Sequence, residues 1–138
     1  MTKLGKSPQK KLKKQLDDLW FEIIKLRAGY KSELSGILGK NAGGTEIITA
    51  HHIAGKSNNR LRYELENGIC LINGKEHIFG VHNHNPSIAS YYQKAIINYI
   101  GEERWNRLQD LQIYKGKTDL KLILISLQQE LKKLKNNS

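Results

Sequence analysis

All five histidines of this 138-residue chain, and its only cysteine, lie between Glu46 and Asn85. Imidazole moves protons near neutral pH and is also a common ligand for divalent metals, so a quarter of the chain holds nearly all of its capacity for such chemistry. His51 and His52 are adjacent. Asn67 lies fifteen residues beyond His52, His77 ten beyond Asn67, and His82 and His84 follow five and seven residues after His77. Arg60 and Arg62 fall within the loop between the histidine pair and Asn67, where a guanidinium could clamp a phosphate through two directed hydrogen bonds. The pair does not form an HExxH zinc-protease signature, which needs its second imidazole four residues on with a glutamate between.

Two short strands and a helix must carry these residues. Ile47, Ile48 and Thr49 favour a strand that ends at His51 and His52, and Gly68 to Ile72 favour a second. Lys56 to Asn59 reads as a loop, Asn73-Gly74 as a turn, and residues 75 to 83 as a short helix bearing His77 and His82. Upstream, residues 1 to 8 form a basic arm. Apolar residues from Leu12 to Leu26 then recur at helical intervals over about 9 to 28. Residues 31 to 46 read as turns or an irregular strand pair. Downstream, Pro86 opens a helix that Gly101 closes, a short helix covers about 102 to 111, and a last one runs from a Thr118 N-cap to about Lys135. Its apolar face fits either the first helix or a second copy of the chain, so a homodimer is one of its two uses. The expected fold is one α+β domain over 9–138, with a ββα core at about 46–85 between helical flanks 9–28 and 86–135.

Twenty-three Lys and Arg against thirteen Asp and Glu give a formal charge of +10, which favours a polyanionic partner and nucleic acid first. Lys10, Lys11, Lys13 and Lys14 crowd the start of the first helix, where the helix dipole opposes positive charge; phosphate contact is one explanation and solvation the other. Lys56 is a further candidate for phosphate contact. One cysteine excludes an intrachain disulfide framework and a disulfide-linked partner is not expected. No apolar run approaches the length of a bilayer span and no secretory signal is expected, so the reading is a soluble cytoplasmic protein.

The phrases His51-His52-Ile53, Leu61-Arg62-Tyr63 and Glu66-Asn67-Gly68-Ile69, with His77, resemble the HNH, or His-metal finger, endonucleases over Glu46 to His82. The resemblance implies a ββα-metal finger in which His52 is the general base and His51, His77 and His82 hold one divalent metal, His84 being the alternative third ligand. It further implies that Asn67 fixes the loop and the base, and that Arg62 holds the scissile phosphate or stabilises its transition-state charge. Three imidazoles suit Zn²⁺, Mn²⁺ or Ni²⁺ better than Mg²⁺, though the motif leaves the identity open among the four. His82 sits one residue beyond the four-residue helix-turn spacing, so a bent or ending helix is needed to bring it to His77.

A looser resemblance, to phage NinG-type recombination proteins and related phage HNH endonucleases, rests on Leu19-Trp20, Ile24-Lys25-Leu26-Arg27, Tyr91-Tyr92 and Gly101-Glu102-Glu103-Arg104. Those proteins brace the finger with two CxxC pairs. Here Ser32 and Ser35 fall near the first pair and Ile72 and Lys75 near the second, so no structural zinc is expected and apolar packing or dimerisation must replace the brace. The function these resemblances imply is a metal-dependent DNA endonuclease in phage DNA processing or recombination, set in a bacterial or phage-infected host cell. The alternatives are a mobile-element or restriction-like HNH nuclease, and a noncatalytic DNA-binding protein that keeps the scaffold.

Overall fold

The computed structural model describes residues 8–137, so the basic arm lies outside the described residues apart from Pro8, the first residue of helix α1, Pro8–Arg27. The fold is α+β. Strands β1, Ile48–His52, and β2, Gly68–Ile72, form an antiparallel pair with Ile48 opposite Ile72 and His52 opposite Gly68. Between them runs a one-turn helix α2, Asn59–Arg62, and after them a π-helix, Asn73–Val81. Helices α3, Pro86–Ile100, α4, Glu102–Gln112, and α5, Leu120–Asn136, complete the domain.

The period of two along a strand divides the hairpin between two cores. Ile48, Ala50, Cys70 and Ile72 pack on Trp20 and Ile24 of α1, whereas Ile69 and Leu71 join Ile53, Ala54, Leu61, Ile96 and Leu108 beneath α3 and α4. Leu16 and Ile23 of α1 meet Leu120 and Leu127 of α5 in a third core, so the last helix spends its apolar face on the first. Alpha1 is thereby covered on two sides, which is what its spread of apolar positions requires. Gly68 permits its close approach to the sheet: a Cβ there would lie 2.3 Å from Ile24 Cδ1.

Three local expectations are corrected. Asn73 and Gly74 do not form a separate turn; they open the π-helix, which ends two residues earlier than expected. Arg60 and Arg62 sit on α2, not in a loop, because the Asn58 carboxamide caps that helix by accepting from Leu61 N at 2.8 Å. Asp119, not Thr118, caps α5, its carboxylate accepting from Lys121 N and Leu122 N.

Where a cysteine brace would sit, Leu34 packs on the core beneath α3 and α4, and a polar knot also ties the turn at residues 31–38 to the hairpin. Ser32 and Glu76 are both buried, and Ser32 Oγ donates to Glu76 Oε1 at 2.7 Å while accepting from Leu34 N and Ser35 N. Glu33 adds a second tie, its amide donating to Cys70 O and its carboxylate accepting from Cys70 N. The segment from Glu64 to Gly68 is held as firmly: Arg27 donates to Leu65 O and Gly68 O, and Arg104 to Glu66 O and Gly68 O.

Candidate metal centre

His51 lies on the opposite face of β1 from His52, beside Ile69 and towards the π-helix. There it meets His77 and His82, with ring centroids 5.2 and 5.4 Å away, while His77 and His82 are 4.6 Å from each other. One nitrogen of each ring lies within 4.8 Å of the other two. A tetrahedral shell with bonds of about 2.0–2.1 Å sets its nitrogens roughly 3.3 Å apart, so a closing movement of up to about 1.5 Å would seat one ion.

The winding of the helix removes the difficulty in the spacing. His82 N donates to His77 O at 3.0 Å, a five-residue hydrogen bond that belongs to π rather than α geometry. A π turn holds about one residue more than an α turn, so His77 and His82 stand on adjacent turns of the same face. His84 is not among the three converging rings.

The chemistry of the donor set fits a transition metal. His51 is 8% exposed, and burial, followed by the neighbouring His77, His82 and His52, lowers its pKa to about 3. Burial, then His82, lowers that of His77 also. Both rings are therefore neutral and ligand-competent at physiological pH. His77 Nδ1 is buried with no hydrogen-bond partner among the described residues, a costly state for a polar nitrogen that a metal bond would relieve. Among the described residues no carboxylate joins the three imidazoles, which disfavours an oxygen-seeking ion such as Mg²⁺.

On the opposite sheet face, His52 stacks on Trp20 with a centroid separation of 3.9 Å and an interplanar angle of 3°. Its Nε2 lies 3.0 Å from Arg62 O. A carbonyl only accepts, so Nε2 carries the hydrogen and the neutral ring keeps its basic lone pair on Nδ1. Burial, with the positive charges of Lys56 and Arg62, outweighs this bond and the Asp17 carboxylate, and lowers the His52 pKa to about 4.

Asn67 is fully buried and every polar atom of its side chain is engaged. Oδ1 accepts from Ala54 N at 2.8 Å, and Nδ2 donates to Gly55 O and Leu61 O at 2.8 and 3.1 Å. It closes the excursion between the strands, just beyond His52. The Arg62 guanidinium faces a protein anion: Nε and Nη2 donate to the two Asp17 oxygens at 2.8 and 2.9 Å. Arg60 is half-exposed and 3.9 Å from Glu64, Lys56 is exposed on the turn after β1, and Lys14 pairs with Asp18 at 3.1 Å. Lys10, Lys11 and Lys13 occupy the first turns of α1, remote in sequence from the imidazoles.

Asp17, Trp20 and Glu76 matter to this arrangement and were not candidates from sequence. Trp20 had a signal in the Leu19-Trp20 pair, but its apolar spacing reads equally well as core, which it also is. Comparison with family models, with curated proteins and with solved structures finds no match.

Proposed function

We propose that the chain is a divalent-metal-dependent DNA endonuclease of the HNH type, with His51, His77 and His82 as the metal set and His52 as the general base. The observation that carries the reading is the convergence of three imidazoles from a strand and the end of a π-helix, with a fourth imidazole of fixed tautomer on the opposite face of the same strand. The family motif supplies the assignment of roles, and the +10 charge supports a nucleic-acid substrate.

A bound divalent ion would neutralise the phosphate and stabilise the departing 3′ oxygen. His52 Nδ1 would take the proton of the attacking water, with the ring oriented by Trp20 on one face and by the Arg62 carbonyl at Nε2. Asn67 holds the turn that follows His52 in place. The Asp17 pair fixes Arg62, and thus the carbonyl it offers to His52, which makes Arg62 a positioning residue. Lys56, Arg60 and the α1 lysines remain the cations for backbone phosphate.

The test is cleavage of linear, nicked and four-way-branched DNA by the wild type and His52→Ala across a divalent-metal series. Wild-type cutting should require metal, and His52→Ala should lower its rate by about 10²–10⁴-fold. Metal-dependent cutting that survives His52→Ala would remove the assigned base. Tight DNA binding with no cutting of any substrate would favour the noncatalytic DNA-binding protein.

A further inference from the structure

Glu76 is a buried carboxylate, 5% exposed, and it directly precedes His77. Its Oε1 accepts two hydrogen bonds of 2.7 Å, one from Ser32 Oγ and one from Ile72 N. Ile72 is the N-cap of the π-helix, and no side chain caps that helix from the N-cap position. The back-bond thus satisfies an amide at the helix start, where carbonyl partners run out.

In an α-helix, the residue that reaches back to the N-cap amide is the third helical residue, as in a capping box. Counted from Asn73, that residue here would be Lys75, which has no acceptor. Glu76 is the fourth. A wider π turn brings the fourth residue over the N-cap amide, so a carboxylate at this position favours π winding from the first turn. The winding continues to the bond from His82 N to His77 O, the same bond that sets the two rings side by side. Ser32 holds the carboxylate from outside the helix and is itself held by the amides of Leu34 and Ser35.

We propose that Glu76 is the positioning residue of the histidine cluster: by capping Ile72 in a π register it places His82 beside His77. The consequence for metal binding rests on the reading of the cluster as a metal centre, while the register itself does not. Glu76 touches no imidazole among the contacts described, and its influence runs through the backbone.

The experiment titrates the full chain with Co²⁺, following its visible absorption, and measures amide hydrogen exchange at His82 in the metal-free protein. Glu76→Gln keeps the accepting oxygen and should leave Co²⁺ affinity within about threefold, whereas Glu76→Met, of similar volume with no acceptor, should weaken it by about 10–100-fold. The Met variant should also exchange the His82 amide faster, with helical circular dichroism retained. Should it not fold, Glu76→Asp serves in its place, its carboxylate one methylene too short for Ile72. Wild-type affinity in the variant overturns the proposal. So does lost affinity with unchanged His82 exchange, because the register would then not be what Glu76 controls. A wild type that binds no Co²⁺ defeats the metal reading instead, and the exchange measurement then decides the register alone.

Discussion

The amide of His82 bonds the carbonyl of His77, five residues back, at 3.0 Å, and the two rings stand 4.6 Å apart. In an α-helix the same pair would diverge, since the neighbours on one face are three and four residues apart. Sequence spacing and helix pitch are therefore matched: a five-residue spacing needs the π turn, a four-residue spacing needs only the α turn, and a longer spacing should separate the rings.

Removing Phe79 tests that match. Its side chain is 67% exposed, so deletion empties no core and leaves the two histidines four residues apart, the α-helical interval. Metal affinity, read by calorimetric titration with Zn²⁺, should stay within about tenfold of the wild type, because the two rings remain on one face. Inserting an alanine beside Phe79 should instead lower it by more than about 100-fold, by removing a ligand from reach.

The identity of the third ligand has its own check. His51→Ala, His77→Ala and His82→Ala should each weaken binding by at least the roughly 10–100-fold seen for partners outside the ligand shell. His84→Ala should leave affinity unchanged, since its ring stands apart from the cluster. Equal losses at His82 and His84 would mean that the segment after the π-helix rearranges to bring in a fourth imidazole.

How far this arrangement can be read from sequence depends on the range of the interaction. Periodicity finds α1, α3, α4 and α5 to within a few residues, and strand propensity finds both strands, because these signals are local. Period-two alternation also implies that His51 and His52 face opposite ways. The π winding is less legible, since it depends on one carboxylate reaching one amide and on a serine forty-four residues away. Long-range pairs hide for the same reason: Arg62 looks like a phosphate clamp until the fold brings Asp17 to it. Nothing local distinguishes Trp20 as the platform for His52 from Trp20 as an ordinary core residue.

The stack gives His52 an optical reporter. Imidazolium quenches indole emission more strongly than neutral imidazole, and the rings lie 3.9 Å apart. In a Trp105→Phe background, Trp20 emission should fall as acid protonates His52, with a midpoint near its lowered pKa of about 4, and His52→Ala should abolish the transition. A midpoint near 6.5 would show that the ring is not desolvated. The acid limb of DNA cleavage should lie at the same low pH, leaving the rate level from pH 6 to 8.

Stability should follow the same ionisations. The folded pKa of His51, about 3, lies below the unfolded value near 6.5, so between them the unfolded chain binds more protons. Its contribution is complete above pH 6.5 and is lost as pH falls towards 3. Within that window this one imidazole removes up to about 1.4 kcal/mol per pH unit. Urea midpoints of the metal-free protein at pH 7, 5.5 and 4.5 should fall in that order, and saturating Zn²⁺ should hold up the pH 5.5 value because protons and metal compete for the same nitrogens.

Asn67 separates a structural staple from a group acting on substrate. Its side chain satisfies Ala54 N, Gly55 O and Leu61 O, and it is fully buried, so alanine leaves three backbone groups without that partner as well as a small cavity. Leu61 O still accepts from Glu64 N and water reaches the Gly55 side, so at about 1–3 kcal/mol for the buried Ala54 amide left unpaired, plus the cavity, the loss should be on the order of 3 kcal/mol in urea unfolding at pH 7. Asn67→Asp keeps the Ala54 bond but turns two donors into an acceptor facing two carbonyls, so it should be at least as damaging despite its matching shape. The histidine cluster lies on the other side of β1 from the ring of His52. Co²⁺ affinity of folded Asn67→Ala should therefore change less than the pH midpoint of Trp20 emission, which reports the His52 ring beside the turn that Asn67 closes. The reverse order would place Asn67 in the service of the metal instead.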